Sequence, residues 1–177
     1  MEFSYDLKIP KDRVAVLIGK KGEVKAHLES ITKSHINVDS KEGDVRIEGN
    51  DSLQLFTLRD VIIAIGRGFN PDTAQLLLKA DYALEMINLL DWVKDTKGHF
   101  ERVKGRVIGA DGKARRHIEH AAEVFISVYG KTISIIGRAA NVSLAKRAVE
   151  NLLAGSPHSN TYRWLEKQAR ELRLQEF

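Results

Sequence analysis

Leu17-Ile18-Gly19-Lys20-Lys21-Gly22 returns 90 residues later as Val107-Ile108-Gly109-Ala110-Asp111-Gly112. The register then runs on without a gap. His27-Leu28-Glu29 aligns with His117-Ile118-Glu119, and Ile36-Asn37-Val38 with Ile126-Ser127-Val128. After two fewer residues in the second copy, Val45-Arg46-Ile47-Glu48-Gly49 aligns with Ile133-Ser134-Ile135-Ile136-Gly137. An internal repeat decides architecture before any local propensity does, and two copies mean a paired module rather than a solenoid.

Each copy reads the same way. An apolar segment runs into Gly-x-x-Gly. An amphipathic stretch follows, with Val24, Leu28 and Ile31 in the first copy and Ala114, Ile118 and Ala121 in the second, at helical spacing. Ile36/Val38 with Val45/Ile47, and Ile126/Val128 with Ile133/Ile135, alternate as the arms of a β-hairpin; Ser40 to Asp44 and Gly130-Lys131 form the turns. A second helix is expected over about 52–65 and about 139–153, the latter stopping near Gly155-Ser156-Pro157. Phe3, Tyr5, Leu7 and Ile9 alternate as an opening strand that ends at Pro10. Its counterpart is expected at about 86–93. Between the copies, Asn70-Pro71-Asp72 opens an expected linker helix to Leu84. A last helix is expected over about 161–174, with Trp164, Leu165, Ala169 and Leu172 as its stripe.

The repeated loop has a physical use. Glycine reaches backbone conformations closed to other residues and lets another chain approach closely. The helix behind it presents unpaired N–H groups and a positive dipole end, a seat for a phosphodiester. The helix and the first hairpin strand can together frame an apolar groove for unstacked bases. Ile18, Val24, Leu28 and Ile36, and Ile108, Ala114, Ile118 and Ile126, are the groove candidates; half of them are expected to line it and the rest to fill the core.

These loops, with helix, hairpin and helix in the order βααββα, resemble the KH domain of the eukaryotic type. Its Gly-x-x-Gly loop clamps about four nucleotides of single-stranded nucleic acid. The implied fold class is α+β: a first KH domain over 1–69, a linker helix over 70–84, a second KH domain over 85–155 and a helical extension over 156–177. Gly66-Arg67-Gly68-Phe69, Val103-Lys104-Gly105-Arg106-Val107-Ile108-Gly109 and Asn151-Leu152-Leu153-Ala154-Gly155-Ser156-Pro157 narrow the likeness. The chain resembles the two-KH ribosome assembly factors of the partner-of-Nob-one family, in their compact archaeal version. That resemblance implies binding near the 3′ end of small-subunit rRNA, contact with the endonuclease that trims that end, and association with the alpha subunit of translation initiation factor 2.

Charge weighs the two copies differently. Net charge is 0 over residues 1–69, −3 over 70–95 and +7 over 96–177, within a total of +4. A basic part beside a neutral part points to a polyanionic partner for the second copy. In the first loop, Lys20 and Lys21 stand where a phosphate would sit, and Lys25 lies one turn on. The expected RNA-binding set of the first copy is Ile18, Gly19, Lys20, Lys21, Gly22 and Lys25. In the second loop, Asp111 departs from the basic pattern, but Lys104, Arg106, Lys113, Arg115 and Arg116 surround it. At ~1 kcal/mol or less per exposed pair, five cations outweigh one carboxylate. The expected set of the second copy is therefore those five with Ile108, Gly109, Ala110, Asp111 and Gly112. A second reading, a protein-binding scaffold that docks a translation or rRNA-processing factor, draws on the neutral first copy and on Asp111.

Other chemistry finds no constellation. The chain has no cysteine, which excludes disulfides, thiolate metal sites and a cysteine nucleophile. His117 and His120 share a helix face, with Glu123 one turn on. His27 and His117 occupy equivalent repeat positions, which favours packing or an RNA contact over metal. No P-loop and no Ser/His/Asp arrangement is present, and Asp91 and Asp95 sit in the acidic segment away from any candidate pocket. No enzyme and no cofactor is expected. No apolar run approaches the ~18 residues of a membrane helix, and Met1 to Asp6 has no signal-peptide pattern; a cytoplasmic, membrane-free protein is expected.

Overall fold

The computed structural model describes residues 2–94 and 96–176; Asp95, grouped above with the acidic segment, lies outside them. The chain forms two compact units, one ending at Ala80 and the other starting at Asp81.

In the first unit, β1 (Phe3–Lys8) stops at Pro10, which cannot donate to a sheet ladder. Helices α1 (Val14–Ile18) and α2 (Glu23–Thr32) flank the Gly19–Gly22 loop. Strands β2 (Ser34–Val38) and β3 (Asp44–Gly49) form the expected hairpin, with Ile36 opposite Ile47. Helix α3 (Ser52–Gly66) starts at Asp51, whose carboxylate accepts the Leu53 and Gln54 N–H groups at 3.0 and 3.1 Å. The sheet order is β1-β3-β2, antiparallel throughout. Leu17, Leu28, Ile36, Ile47, Leu58 and Ile62 are fully buried between the sheet and the helices. Each contributes about 1.5–3 kcal/mol of burial.

The second unit repeats this plan. β4 (Tyr82–Asn88), α5 (Lys97–Ile108), α6 (Lys113–Ala122), β5 (Phe125–Tyr129), β6 (Thr132–Arg138) and α7 (Ala139–Leu153) follow in the same order, with sheet order β4-β6-β5. A further helix, α8 (His158–Gln175), packs on α6 and α7. Its Leu165 is buried in the same cluster as Val107, Ile118 and Val149. The expected C-terminal extension is thus built into the core of the second unit.

The linker differs from expectation. In place of one helix over 70–84 there is a single turn, α4 (Pro71–Ala74), and a 3₁₀ turn, Gln75–Leu78. Both pack on α3 of the first unit. The opening strand of the second unit is Tyr82–Asn88 rather than 86–93. Apolar residues at both helical and alternating spacing make 76–87 ambiguous in sequence. The antiparallel ladder of Ala83, Glu85 and Ile87 with β6 decides it. Of the groove candidates, Leu28, Ile36, Ala114, Ile118 and Ile126 are buried core; Ile18, Val24 and Ile108 are half-buried and remain at the surface.

Candidate nucleic-acid interface

The two Gly-x-x-Gly loops share one backbone. Gly19 and Gly109 have φ/ψ of 77°/173° and 76°/173°, and Gly22 and Gly112 have 77°/12° and 75°/13°. Lys21 and Asp111, at φ 55° and 54°, take the left-handed conformation. At the first glycine no side chain fits: a Cβ on Gly19 would lie 2.5 Å from Val24 Cγ2, and one on Gly109 would lie 2.7 Å from the Ala114 Cβ and N. The loop is pressed against the start of the next helix, and each loop is followed at once by that helix's N-terminus.

Behind each loop a strut crosses from helix to edge strand. Glu29 Oε2 accepts the Ile36 N–H at 2.9 Å, and Glu119 Oε2 accepts the Ile126 N–H at the same distance. Lys25 donates to Glu29 at 3.3 Å; Arg115 donates to the Ile126 carbonyl at 3.3 Å, with Glu119 3.9 Å away. Burial works to raise the Glu29 carboxyl. The Ile36 N–H, Lys25 and His35 outweigh it and hold the group below the ordinary carboxylate range. Lys25 and Arg115, expected as phosphate contacts, therefore also brace the floor beside their loops.

Arg106 is a clearer case. Its guanidinium donates to the Leu152 carbonyl at 2.9 Å and to the Ser156 carbonyl at 2.5 Å. Arg13 does the same in the first unit, donating to the Ile65 and Phe69 carbonyls, both at 2.8 Å. Each arginine ties the C-terminal end of the unit's long third helix, α3 or α7, to the helix before the loop. Arg106 is a structural clamp: two of its five N–H donors go to these carbonyls, so the residue expected as a phosphate contact also has a packing role, while it lines the cleft beside Gly109. Lys113 lines the cleft beside Gly109 and the Arg116 guanidinium lies over Gly112; Lys104 is half-buried on α5, five residues before the loop. Lys20, Lys21 and Asp111 are exposed on their loops.

The repeated histidines pack. His27 Nε2 lies 3.2 Å from Gln75 Oε1, and His117 stacks on Tyr162 at 4.0 Å with Nε2 3.0 Å from Glu166. In each unit the histidine meets the segment that follows the third helix.

Comparison with known proteins follows this geometry. Residues 83–170 match the eukaryotic type KH-domain (KH-domain type I), in the form of the second domain of PNO1, and residues 4–62 match the KH domain. A KH domain-containing protein of Methanocaldococcus jannaschii is 44% identical over 97% of this chain and 76% of its own length. A chain in the crystal structure of the a/eIF2alpha–aDim2p–rRNA complex from Pyrococcus horikoshii OT3 is 44% identical, with a TM-score of 0.88, over 96% of this chain and 95% of that one. The pre-rRNA-processing protein PNO1 of Coccidioides immitis is 34% identical over 72% of this chain.

The chain belongs to the KH-domain family of archaeal Dim2 and eukaryotic PNO1. It spans about half of the fungal PNO1, 51% of its length. As a Dim2/PNO1 member it carries two type I KH units, and among its described residues no helix is long and apolar enough to cross a membrane. Three features of this Dim2/PNO1 chain were missed in the sequence. The Arg13 and Arg106 clamps had no local signal, because their partners lie 46 to 56 residues away. The Glu29/Glu119 strut was visible as an identical pair at the repeat offset. The row His158, Tyr162, Glu166, Arg170 on α8 was visible as a spacing of four.

Proposed function

We propose that this protein is an rRNA-binding assembly factor of the small ribosomal subunit that acts without catalysis, in the cytoplasm. It holds a single-stranded segment near the rRNA 3′ end at the Gly109–Gly112 loop and the groove between α6 and β5. The first loop, with Lys20 and Lys21, adds a second contact to the same strand and so raises avidity. The observation that supports this most is the shared loop backbone, at dihedrals matching within a few degrees, combined with the net +7 of residues 96–177. The glycines admit the phosphodiester, Lys104, Lys113 and Arg116 neutralise it, and half-buried Ile108 faces the bases. The a/eIF2alpha–aDim2p–rRNA complex of the relative supports a shared assembly with the alpha subunit of initiation factor 2. Docking of a protein factor and RNA binding are then two activities of one chain.

The test is fluorescence anisotropy with an oligonucleotide matching the small-subunit rRNA 3′ end and a scrambled control at two salt concentrations. A preference for the rRNA end that survives higher salt is expected, because base contacts do not release counterions as phosphate contacts do. Equal binding that salt erases would overturn the base-reading groove and leave only a basic surface.

A further inference from the structure

The groove invoked above lies on one flank of α6, where Arg115 and Glu119 meet β5. The opposite flank carries Lys113, His117 and Ala121 and faces α8. The His117–Tyr162 stack divides this α6/α8 seam into two open clefts. The cleft at the loop end, about 410 Å³, is lined by Arg102, Gly109, Lys113 and His158 among others, and by no carboxylate. The far cleft, about 240 Å³, holds His120, Arg170 and Arg173 beside His117 and Glu166. Glu166 is the single acidic residue lining either one, and its carboxylate already faces His117 at 3.0 Å. Lys113, Arg170 and Arg173 are exposed, and no carboxylate among the described residues forms an ion pair with them.

The row has a direction. His158, Tyr162, Glu166 and Arg170 recur every four residues along one edge of α8, and Arg173 follows one turn later. At 1.5 Å per residue the row from His158 to Arg173 runs about 22 Å. It begins at the Gly109–Gly112 loop, where the KH clamp holds about four nucleotides. Lys113 at one end and Arg170 and Arg173 at the other, with the single carboxylate between them, Glu166, already facing His117, leave a net positive seam that matches the charge of a nucleic-acid backbone. The far cleft is too polar and open to hold a base by stacking, and its one aromatic neighbour is already stacked on His117.

Building on the RNA-binding reading, we propose that the α6/α8 seam is a second polyanion track: it takes the sugar-phosphate backbone of the RNA where the strand extends past the loop. It adds affinity and footprint without reading sequence.

The full-length chain tests this with two labelled RNAs sharing the rRNA 3′ sequence, a tetranucleotide and an oligonucleotide of about fifteen nucleotides, long enough to pass the clamp. The wild type is expected to bind the long RNA at least tenfold more tightly. Arg170→Ala with Arg173→Ala should cost about tenfold on the long RNA and lower its salt slope by about 1.4, at roughly 0.7 per phosphate contact. The tetranucleotide should be unaffected. Arg163→Ala with Lys167→Ala, an equal charge loss on residues of α8 that line neither cleft, should cost much less. A long RNA that binds no more tightly than the short one, an unchanged slope in the seam variant, or an equal loss in the control variant would each overturn the track. If the wild type fails to bind the tetranucleotide, the loop-groove reading fails instead, and the seam stands or falls on the long-RNA slope alone.

Discussion

Lys20 and Lys21 in one loop correspond to Ala110 and Asp111 in the other, yet the backbone angles of the two loops agree within a few degrees. Their shape comes from two glycines and from the pressure of the following helix, and neither depends on charge. The middle position must be left-handed, a conformation that Asp tolerates better than most side chains. Asp111 therefore fits the geometry while opposing the phosphate, whereas Lys21 suits the phosphate and carries the conformational cost. Outside the loops the units diverge further. The solvent face of the first sheet carries Asp6, Arg46 and Glu48 in ion pairs. The corresponding face of the second carries Leu84, Ile136 and Phe125 in place of charges, with Ile136 fully buried and Phe125 45% exposed. What the two copies keep in common is the loop, the strut and the helix clamp; what differs is surface chemistry.

The largest effect expected in this comparison comes from the first glycine of each loop. Gly109→Ala and Gly19→Ala each combine a positive φ with a Cβ overlap under 3 Å, and each should lose about 3 kcal/mol in urea unfolding. Gly22→Ala meets nothing within 4 Å and should lose only about 1 kcal/mol. A Gly19 variant as mild as Gly22→Ala would break the claim that packing shapes the loop. Next comes the clamp. Arg106→Ala and Arg13→Ala should each lose about 2 kcal/mol, the scale of hydrogen bonds to a charged donor. Lysine should not restore them, since one ammonium cannot replace a fork that reaches two carbonyls. Full rescue by Arg106→Lys would show that the two-carbonyl fork is not what holds the helix end.

The charge difference between the loops is smaller in energy. Lys20→Asp with Lys21→Asp should cut affinity for the rRNA-end oligonucleotide about tenfold and leave association with the alpha-subunit partner intact. Asp111→Asn should raise affinity about twofold by removing one like charge near a phosphate, within the ~1 kcal/mol of an exposed pair. No change in either would mean the loops act through shape alone. The smallest effect is the strut. The Glu29 carboxyl is held below its ordinary value, so its contribution is present above about pH 4.5 and is lost as pH falls through the lowered value. Glu29→Gln should speed exchange of the Ile36 amide at neutral pH, by an amount worth under about 1 kcal/mol. The difference from wild type should vanish once the pH lies well below that lowered value and the carboxyl is protonated. A difference that persists there would assign the strut to hydrogen bonding without charge.

The repeat, both loops, the hairpins and the long third helices were legible because each rests on local demands: a glycine where φ is positive, alternation where one sheet face is buried, and a cap such as Asp51. Helix α7 occupies 139–153 as expected, while 70–84 was misjudged because its apolar residues suit a helix and a strand equally. Groove and core could not be separated by pattern, and Leu28, Ile36 and Ile118 proved to be core.

Sequence by itself determined that this is a pair of KH modules with a basic second half, because backbone conformation and net charge are properties of residues and their spacing. Tertiary structure alone decided which cations remain available to a phosphate. Arg106 gives two of its N–H donors to carbonyls of a helix end far along the chain, and Arg170 and Arg173 are brought beside α6 by the burial of Leu165. Availability depends on the neighbours a folded chain supplies, and those neighbours are distant in sequence.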